Sequence, residues 1–201
     1  KGPAISRVEH REDLALIEEI GATALRLAHY QHDDYVYQLA DADGLVVWAE
    51  LPFVNQAESS DPDFSSNAEA QLRELIRQNY NHPSILCWSI GNETTDKQVA
   101  AADALLVRLA AVANEEDPGR PSVYASDHAP DDPRNFRADL LGYNHYFGWY
   151  GGVYADLGPW LDTWHARHPD VPLGISEYGA GTSIDQHEQD ATAHTGRPPV
   201  S

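Results

Sequence analysis

The chain has 201 residues, and its 13 Lys and Arg are outnumbered by 32 Asp and Glu, so the formal net charge is −19 at pH 7. This acidic balance argues against nucleic acid and an anionic membrane surface as partners, because both bind basic patches. Hydrophobic residues make up 42% of the chain, a share typical of a folded globular domain. A single cysteine, Cys87, excludes an internal disulfide framework and a Cys-rich zinc site. No apolar run approaches the roughly 20 residues that span a bilayer.

Helix-like and strand-like segments alternate along the sequence. In chain order, helices are predicted over 10–20, 33–43, 66–80, about 95–117 and about 157–164, and strands over 23–28, 45–50, 84–90, 122–125, 139–143 and 171–176. The helices have apolar residues at intervals of three and four, whereas the strands are short apolar runs. The spacings from Ser66 to Glu69 and from Thr95 to Gln98 are those of a capping box, which predicts that a helix begins at each pair.

This alternation predicts an α/β fold whose strands pair in parallel through right-handed crossovers. Polar residues follow almost every strand at its C-terminal end, while the other ends carry ordinary turn residues. A (β/α)8 barrel builds its active site from the loops at this end, whereas an open sheet binds ligands mainly at one switch point. The pattern therefore favours a TIM barrel, incomplete, with about six of its eight strands and with the first and last missing.

Two glutamates stand out among the residues at the strand ends. Glu93 follows an apolar strand directly, and Glu177 closes the last predicted strand. Two carboxyl groups facing each other across a barrel mouth can break a glycosidic bond, one as the acid and the other as an ionised nucleophile or base. Position alone does not assign these roles, because Glu50 is a third candidate. The sequence lacks a Gly-rich nucleotide-binding motif and a G-x-S-x-G elbow, which argues against nucleotide-binding and serine-hydrolase functions.

Several blocks of the sequence carry a family resemblance. In chain order they are ALRLAHY at 24–30, DADGLVVWAE at 41–50, NHPSILCWSIGNE at 81–93, NHYFGWY at 144–150 and ISEYGAG at 175–181. Together they resemble the catalytic barrel of glycoside hydrolase family 2, which contains β-galactosidases, β-glucuronidases and β-mannosidases. The resemblance implies a retaining exo-β-glycosidase that removes terminal non-reducing β-glycosyl residues from a carbohydrate substrate by double displacement. Among the sugars, β-D-galactosides are the preferred prediction.

The resemblance also implies roles for individual residues. Glu93 is expected to be the general acid/base and Glu177 the nucleophile. Asn92 is expected to hydrogen-bond the sugar 2-hydroxyl, and Arg26 to lie beside Glu177 and keep it ionised. Tyr146 is expected to donate a hydrogen bond to the nucleophile. Further residues expected at the barrel mouth, in contact with the sugar or supporting the catalytic groups, are His29, Glu50, Asn144, His145 and Trp149, the last as an aromatic wall against a sugar face.

Three alternatives stay open. A β-glucuronidase would need a cation for the sugar carboxylate. His145 stands where members with that activity carry Arg beside the same Asn and Tyr, which argues against a β-glucuronidase. A β-mannosidase of the same family is the second alternative. The third is a non-catalytic carbohydrate-binding remnant of the fold, against which the presence of both Glu93 and Glu177 speaks.

The length of the chain sets further expectations. A TIM barrel takes about 250 residues, so 1–201 is expected to be a partial catalytic domain, with 182–201 as a poorly ordered tail. The isolated chain is expected to be inactive and able to dimerise through exposed sheet edges, and the full-length protein to be a homo-oligomer. No cofactor is predicted, and no metal, because the spacing of His29 and His32 is more typical of hydrogen-bonding histidines. The compartment is left open between cytoplasm and periplasm.

Overall fold

A computed structural model describes residues 4–95 and 98–181, in which strands alternate with helices. The strands are β1 (Ala24–Leu27), β2 (Val46–Glu50), β3 (Val54–Gln56), β4 (Ile85–Thr95), β5 (Ser122–Ser126), β6 (Leu140–Asn144) and β7 (Leu173–Glu177). The helices are α1 (Arg7–Glu19), α2 (Asp34–Asp43), α3 (Pro62–Asn79), α4 (Val99–Glu116) and α5 (Leu157–Arg167), with short 3-10 helices at Pro133–Phe136 and Tyr154–Asp156. The predicted tail, 182–201, lies outside the described residues.

Six of these strands form one parallel sheet in the order β1-β2-β4-β5-β6-β7. Each neighbouring pair is parallel, as helical crossovers require. The sheet curls into half a barrel, which confirms the predicted incomplete (β/α)8 barrel. Because all the strands run the same way, their C-terminal ends lie along one rim.

The short strand β3 is absent from the prediction. Its Val54 pairs with Asn92 and its Gln56 with Thr95, so β4 extends to 11 residues instead of ending at Ile90. A segment of three residues, two of them polar, has no strand pattern of its own. Its strand conformation depends on the neighbouring strand, a tertiary effect that local sequence does not contain.

Both helix starts predicted from a capping-box spacing are wrong. Helix α3 begins at Pro62, one turn before Ser66, and the Asp61 side chain caps it by accepting a backbone hydrogen bond. An aspartate followed by proline is a stronger start signal than the capping-box spacing, because proline is pre-organised for the first helical position. Thr95 is the last residue of β4 and so cannot begin α4, which starts at Val99.

A continuous apolar core fills the space between the sheet and helices α3 and α4. Leu72, Leu106, Trp88 and Tyr124 are completely buried in it. Cys87 is also buried, and burial raises the pKa of its thiol to about 12, as expected for an unreactive core cysteine.

Across residues 4–95 and 98–181, no helix combines the length and the apolarity that crossing a bilayer requires.

Candidate active site

The polar residues that follow the strands converge on one rim of the half-barrel, as the sequence predicts. Hydrogen bonds and ion pairs join residues as far as 151 positions apart in the sequence. The strands and the loops after them contribute, in chain order, Arg26, His29, Glu50, Asn92, Glu93, Asp127, Asn144, Tyr146 and Glu177. The site is therefore assembled by the barrel topology and not by one local motif.

Arg26 joins three of the predicted site residues. Its Nε lies 3.0 Å from Oε2 of Glu50, its Nη1 lies 2.5 Å from Oε1 of Glu177, and its Nη2 donates to Oδ1 of Asn92 over 2.7 Å. The guanidinium also lies over the ring of Trp48, 5.3 Å from the centroid, a cation–π contact. Because the guanidinium presents its donors in fixed directions, Arg26 holds two carboxylates and an amide in one arrangement.

Glu50 holds Arg26 in position from inside the half-barrel. Its side chain is completely buried, and its oxygens accept hydrogen bonds from Arg26 and from Oγ of Ser89, the latter over 3.1 Å. Nδ1 of His29 lies 2.8 Å from Oε1 of the same carboxylate. A buried carboxylate surrounded in this way is a support for its partners. Of the three candidate acids, Glu50 is thus the one that does not face the open site.

Glu93 has an unusual backbone conformation at the rim. Its φ is +47°, in the left-handed region that costs a non-glycine residue about 1 kcal/mol or more. Nδ2 of Asn144 donates to Oε1 of Glu93 over 2.6 Å, and Oγ of Ser176 donates to Oδ1 of Asn144 over 2.6 Å, which orients the amide. The direction of the Glu93 side chain is therefore set by the strained backbone and by a two-step hydrogen-bond relay.

The surroundings of Glu93 favour its protonated form. Burial raises the pKa of Glu93 above its ordinary value, and the negative charges of Asp127 and Glu177 act in the same direction. The hydrogen bond from Asn144 lowers the pKa but does not cancel the rise. A raised pKa makes Glu93 the better proton donor of the two carboxyl groups at the rim.

The surroundings of Glu177 act in the opposite sense. Burial works to raise the pKa of Glu177, but hydrogen bonds from Tyr146 and Arg26 and the charge of Arg26 outweigh it and lower the pKa below its ordinary value. The Tyr146 hydroxyl donates to Oε2 and Arg26 to Oε1. Burial and the neighbouring Glu177 raise the pKa of Tyr146, so its phenol keeps its proton and remains a donor. Glu177 is thereby held as an ionised carboxylate.

Glu93 and Glu177 line the same cavity, which has a volume of about 650 Å³. The other lining residues are Asp127, Asn144, His145, Tyr146, Phe147, Tyr150 and Gly151. Five predicted site residues lie outside this lining: Arg26, His29, Glu50, Asn92 and Trp149. Arg26, His29 and Asn92 bear on it through contacts with Glu177 or Asn144, and Glu50 does so through Arg26. Two carboxyl groups in one cavity whose pKa values are shifted apart can divide the roles of acid and nucleophile.

Of the two aromatic residues expected at the barrel mouth from the loop after β6, His145 reaches the cavity and Trp149 does not. The His145 ring lines the cavity but stacks on Trp160, with centroids 4.5 Å apart and planes 13° apart. Burial lowers the pKa of His145, so it presents a neutral aromatic surface. Trp149 is not part of the cavity lining: its ring lies against Gly181, where a Cβ would come within 3.3 Å of it. The tight turn after β6 points successive side chains in different directions and brings Tyr150 to the cavity instead.

Asp127, Phe147, Tyr150 and Gly151 line the cavity although the predicted site does not include them. For Asp127 the signal was present, because it directly follows β5 in the same way that other polar residues follow their strands. The other three belong to the loop after β6, whose conformation no residue spacing determines.

Within the described ranges, no group of three or more His, Cys, Asp or Glu side chains is arranged to hold a metal ion. The histidines of the H-x-x-H pattern have other partners. His29 contacts Glu50, and Nε2 of His32 lies 2.9 Å from the carbonyl oxygen of Ala28.

A curled parallel sheet with a pair of carboxyl groups at its C-terminal rim defines a TIM-barrel domain with the equipment of a glycosidase. The sequence matches the family described as glycosyl hydrolases family 2, TIM barrel domain, over residues 1–193. The chain therefore belongs to this family, and the family predicted from its motifs is confirmed.

Several proteins similar to this chain are named for the sugar that they act on. A β-glucuronidase of Bacteroides fragilis is 44% identical over 197 residues, which are 94% of this chain and 28% of the relative. The structure of Bacteroides uniformis β-glucuronidase 2, covalently bound to cyclophellitol-6-carboxylate aziridine, is 35% identical with a TM-score of 0.84 and covers 90% of this chain and 24% of its own. A Bacteroides fragilis structure described provisionally as a β-galactosidase is 39% identical with a TM-score of 0.86, over 92% of this chain and 27% of its own. The chain thus spans 24% to 28% of the length of these three proteins.

Proposed function

We propose that the chain is part of the catalytic barrel of a larger retaining β-glycosidase in which Glu93 is the general acid/base and Glu177 the nucleophile. One observation carries the proposal. Two carboxyl groups line a single cavity, and their surroundings favour a protonated Glu93 and an ionised Glu177. This is the division of states that glycosidic cleavage by double displacement needs at its first step.

In the first step, the Glu177 carboxylate attacks the anomeric carbon while the bond from that carbon to the leaving oxygen breaks. The proton of Glu93 passes to the leaving oxygen, so the alcohol departs uncharged. The sugar is then held on Glu177 as an ester, and Glu93 is left ionised.

In the second step, the Glu93 carboxylate takes a proton from water, whose oxygen bonds to the anomeric carbon as the ester bond to Glu177 breaks. Glu93 is protonated again and Glu177 is again a carboxylate. Two inversions at the same carbon give retention of configuration. Retention by this route requires the two carboxyl groups to lie about 5–5.5 Å apart in the complete enzyme.

Asn92 supplies the sugar contact next to the reacting centre in this proposal. Its Oδ1 accepts hydrogen bonds from Arg26 and from Asn144, over 2.7 Å and 3.0 Å. With the oxygen so occupied, the amide N–H groups are the part of Asn92 that can donate to the sugar 2-hydroxyl. This contact is one that strengthens in the transition state.

For the sugar, we favour β-glucuronides over the β-galactosides that the sequence predicts. The support is the 44% identical relative named β-glucuronidase and the B. uniformis structure that holds a carboxylate-bearing ligand. His145 does not provide the cation for a sugar carboxylate, because burial lowers its pKa. Among the described residues, the cavity lining contains no Lys or Arg, so the cation for the sugar carboxylate is expected outside this lining.

A substrate panel tests the proposal. The complete protein that carries this chain is assayed with 4-nitrophenyl β-glucuronide, β-galactoside and β-mannoside. We expect kcat/KM for the glucuronide to exceed the others by about 100-fold or more, because a site that binds the sugar carboxylate discriminates against sugars without it. A higher kcat/KM for the galactoside would instead support the β-galactosidase activity predicted from the sequence.

A covalent probe tests the chemistry separately from the sugar. A cyclophellitol aziridine of the preferred configuration should label Glu177, which peptide mapping by mass spectrometry detects. Glu177→Gln should abolish the label, and Glu74→Gln, an exposed position on α3, should keep it. Reversible binding without any label would indicate the non-catalytic remnant.

A further inference from the structure

Asp127 is a charged residue of the cavity for which the proposed mechanism has no task. It follows the last residue of β5 and lines the cavity together with Glu93 and Glu177. Its side chain is 45% exposed, so a bound molecule can reach it. In the part of the chain that the structure describes, it forms no ion pair with Lys or Arg; its partner is His128, whose Nδ1 lies 3.1 Å from Oδ1.

His128 does not cancel the charge of Asp127. Burial lowers the pKa of His128, and the positive charge of Arg134 lowers it further, against the opposing effect of Asp127 and Asp132. The imidazole is therefore neutral near neutral pH. Asp127 consequently presents its negative charge to the cavity.

The position of Asp127 relative to Glu93 is fixed by one buried phenol. The Tyr124 hydroxyl lies 2.9 Å from Nε2 of His128, accepts a hydrogen bond from the backbone N–H of Thr94 over 3.1 Å, and lies 2.9 Å from Oγ1 of Thr94. Tyr124 is completely buried. Because Thr94 follows Glu93 and His128 follows Asp127, this hydroxyl ties the two rim segments together.

Asp127 belongs to the Glu93 side of the cavity. Its charge contributes to the raised pKa of Glu93, whereas the pKa of Glu177 responds, besides burial, to Tyr146, Arg26 and His29. In the proposed mechanism Glu93 protonates the leaving oxygen. The Glu93 side is therefore the side on which the leaving group lies.

We propose that Asp127 is a specificity-determining residue that selects against leaving groups carrying a negative charge. The inference rests on the proposed function, because it needs Glu93 to mark the leaving-group side. Like charges in a partly enclosed cavity repel more strongly than in bulk water. The preferred substrates are thus glycosides of neutral or cationic alcohols and phenols, and glycosides whose leaving group bears a carboxylate, sulfate or phosphate are poor substrates.

A matched pair of substrates tests the proposal in the complete protein. The 3-carbamoylphenyl and 3-carboxyphenyl glycosides of the sugar preferred in the panel differ in charge but little in size. We expect the wild type to have a kcat/KM about tenfold higher for the carbamoyl compound, as a repulsion intermediate between exposed and buried pairs predicts. In Asp127→Asn, which keeps the shape and removes the charge, this ratio should fall to about twofold or less.

Asp131→Asn is the matched control. Asp131 lies on the same loop, is 67% exposed and pairs with Arg167 and His168, so its ratio should equal that of the wild type. The ratio in the wild type should also fall as ionic strength rises from about 0.02 to about 0.5 M, because salt screens charge repulsion. This second measurement decides the matter if Asp127→Asn does not fold.

The outcomes separate this inference from the proposed function. Hydrolysis of both substrates with the same ratio in the wild type and in Asp127→Asn overturns the role of Asp127 and leaves the glycosidase assignment intact. A wild-type ratio that does not change with salt overturns it as well. If the wild type hydrolyses neither substrate nor any glycoside of the panel, both proposals fail together.

Discussion

Nη1 of Arg26 lies 2.5 Å from Oε1 of Glu177, while Nε and Nη2 of the same guanidinium bind the completely buried Glu50 at 3.0 and 3.1 Å. The guanidinium of Arg26 is thus held in position by the buried Glu50, and its charge acts on Glu177, which lines the cavity. Glu50 supplies the position of Arg26, and Arg26 supplies part of the electrostatic field that keeps Glu177 ionised. The two carboxylates on Arg26 have different tasks for this reason.

Replacing Arg26 with Gln should remove that field. The pKa of Glu177 should rise, and because the proposed nucleophile must be ionised, the acid limb of the pH profile of kcat/KM should move to higher pH. At the optimum we expect kcat/KM to fall by about 10²–10³-fold, as when one preorganised donor is removed from an active site. The measurement is kcat/KM across pH with the complete protein.

A second arginine provides the control for this experiment. Arg137 binds Asp103 through two hydrogen bonds of 2.7 and 2.9 Å and is not part of the cavity lining. Arg137→Gln should leave the acid limb where it is in the wild type. An unmoved acid limb in Arg26→Gln would contradict the role given to Arg26.

Asn144 should govern the basic limb of the same profile. Its Nδ2 donates to Glu93, which favours the ionised form and lowers the pKa of that carboxyl group. Asn144→Ala should therefore raise the pKa of Glu93 further. Because the acid must be protonated to act, activity should persist to higher pH than in the wild type, although its maximum should be lower. Asn67→Ala, at an exposed position of α3, is the control, and a basic limb displaced to lower pH would show that the interpretation is wrong.

The two proposed roles can be distinguished by azide rescue. In Glu93→Ala the loss of activity should be about 10²–10⁴-fold for a poor leaving group and much smaller for a good one, which needs no proton. Azide should then attack the glycosyl-enzyme and give the β-glycosyl azide. In Glu177→Ala azide should replace the nucleophile and give the α-glycosyl azide. The anomers are identified by NMR, and the reverse pattern would exchange the two assignments.

Much of the fold follows from the local sequence, because the alternation of helices with apolar strands and the polar strand ends are local patterns. What local patterns do not contain is pairing. Strand β3 exists because Val54 meets Asn92, and Thr95 is drawn into the extended β4 instead of beginning a helix. The predicted homo-oligomer of the full-length protein and the edge-mediated dimer of the isolated chain stay predictions.

For the candidate site, too, the sequence predicts the residues at strand ends but not those placed by loop geometry. Arg26, Asn144 and Glu177 meet because parallel strands bring their C-terminal ends to one rim, so strand position alone places them. Trp149 and Tyr150 are neighbours in one loop, and only the turn geometry decides which of them reaches the cavity. The lowered pKa of Glu177 agrees with the role expected of Arg26. The causes that act on the pKa of Glu93, which are burial, Asn144 and Asp127, arise from contacts between distant segments that the sequence does not show.

Gly142 in β6 lies where the sheet leaves no room for a side chain. A Cβ at this position would overlap Cη2 of Trp48 and come within 2.8 Å of Oγ of Ser176. Trp48 supports Arg26, and Ser176 orients Asn144, so displacing either should disturb the site as well as the packing. Gly142→Ala should destabilise the complete protein by about 1–3 kcal/mol, the usual cost of overpacking, and should lower kcat/KM.

Gly158→Ala, in α5 with nothing within 4 Å of the new Cβ, is the control. It should be neutral or stabilising by up to about 1 kcal/mol, because alanine is the better helix former. Thermal unfolding of both variants checks this, and equal melting temperatures for the two would contradict the tight packing inferred at Gly142.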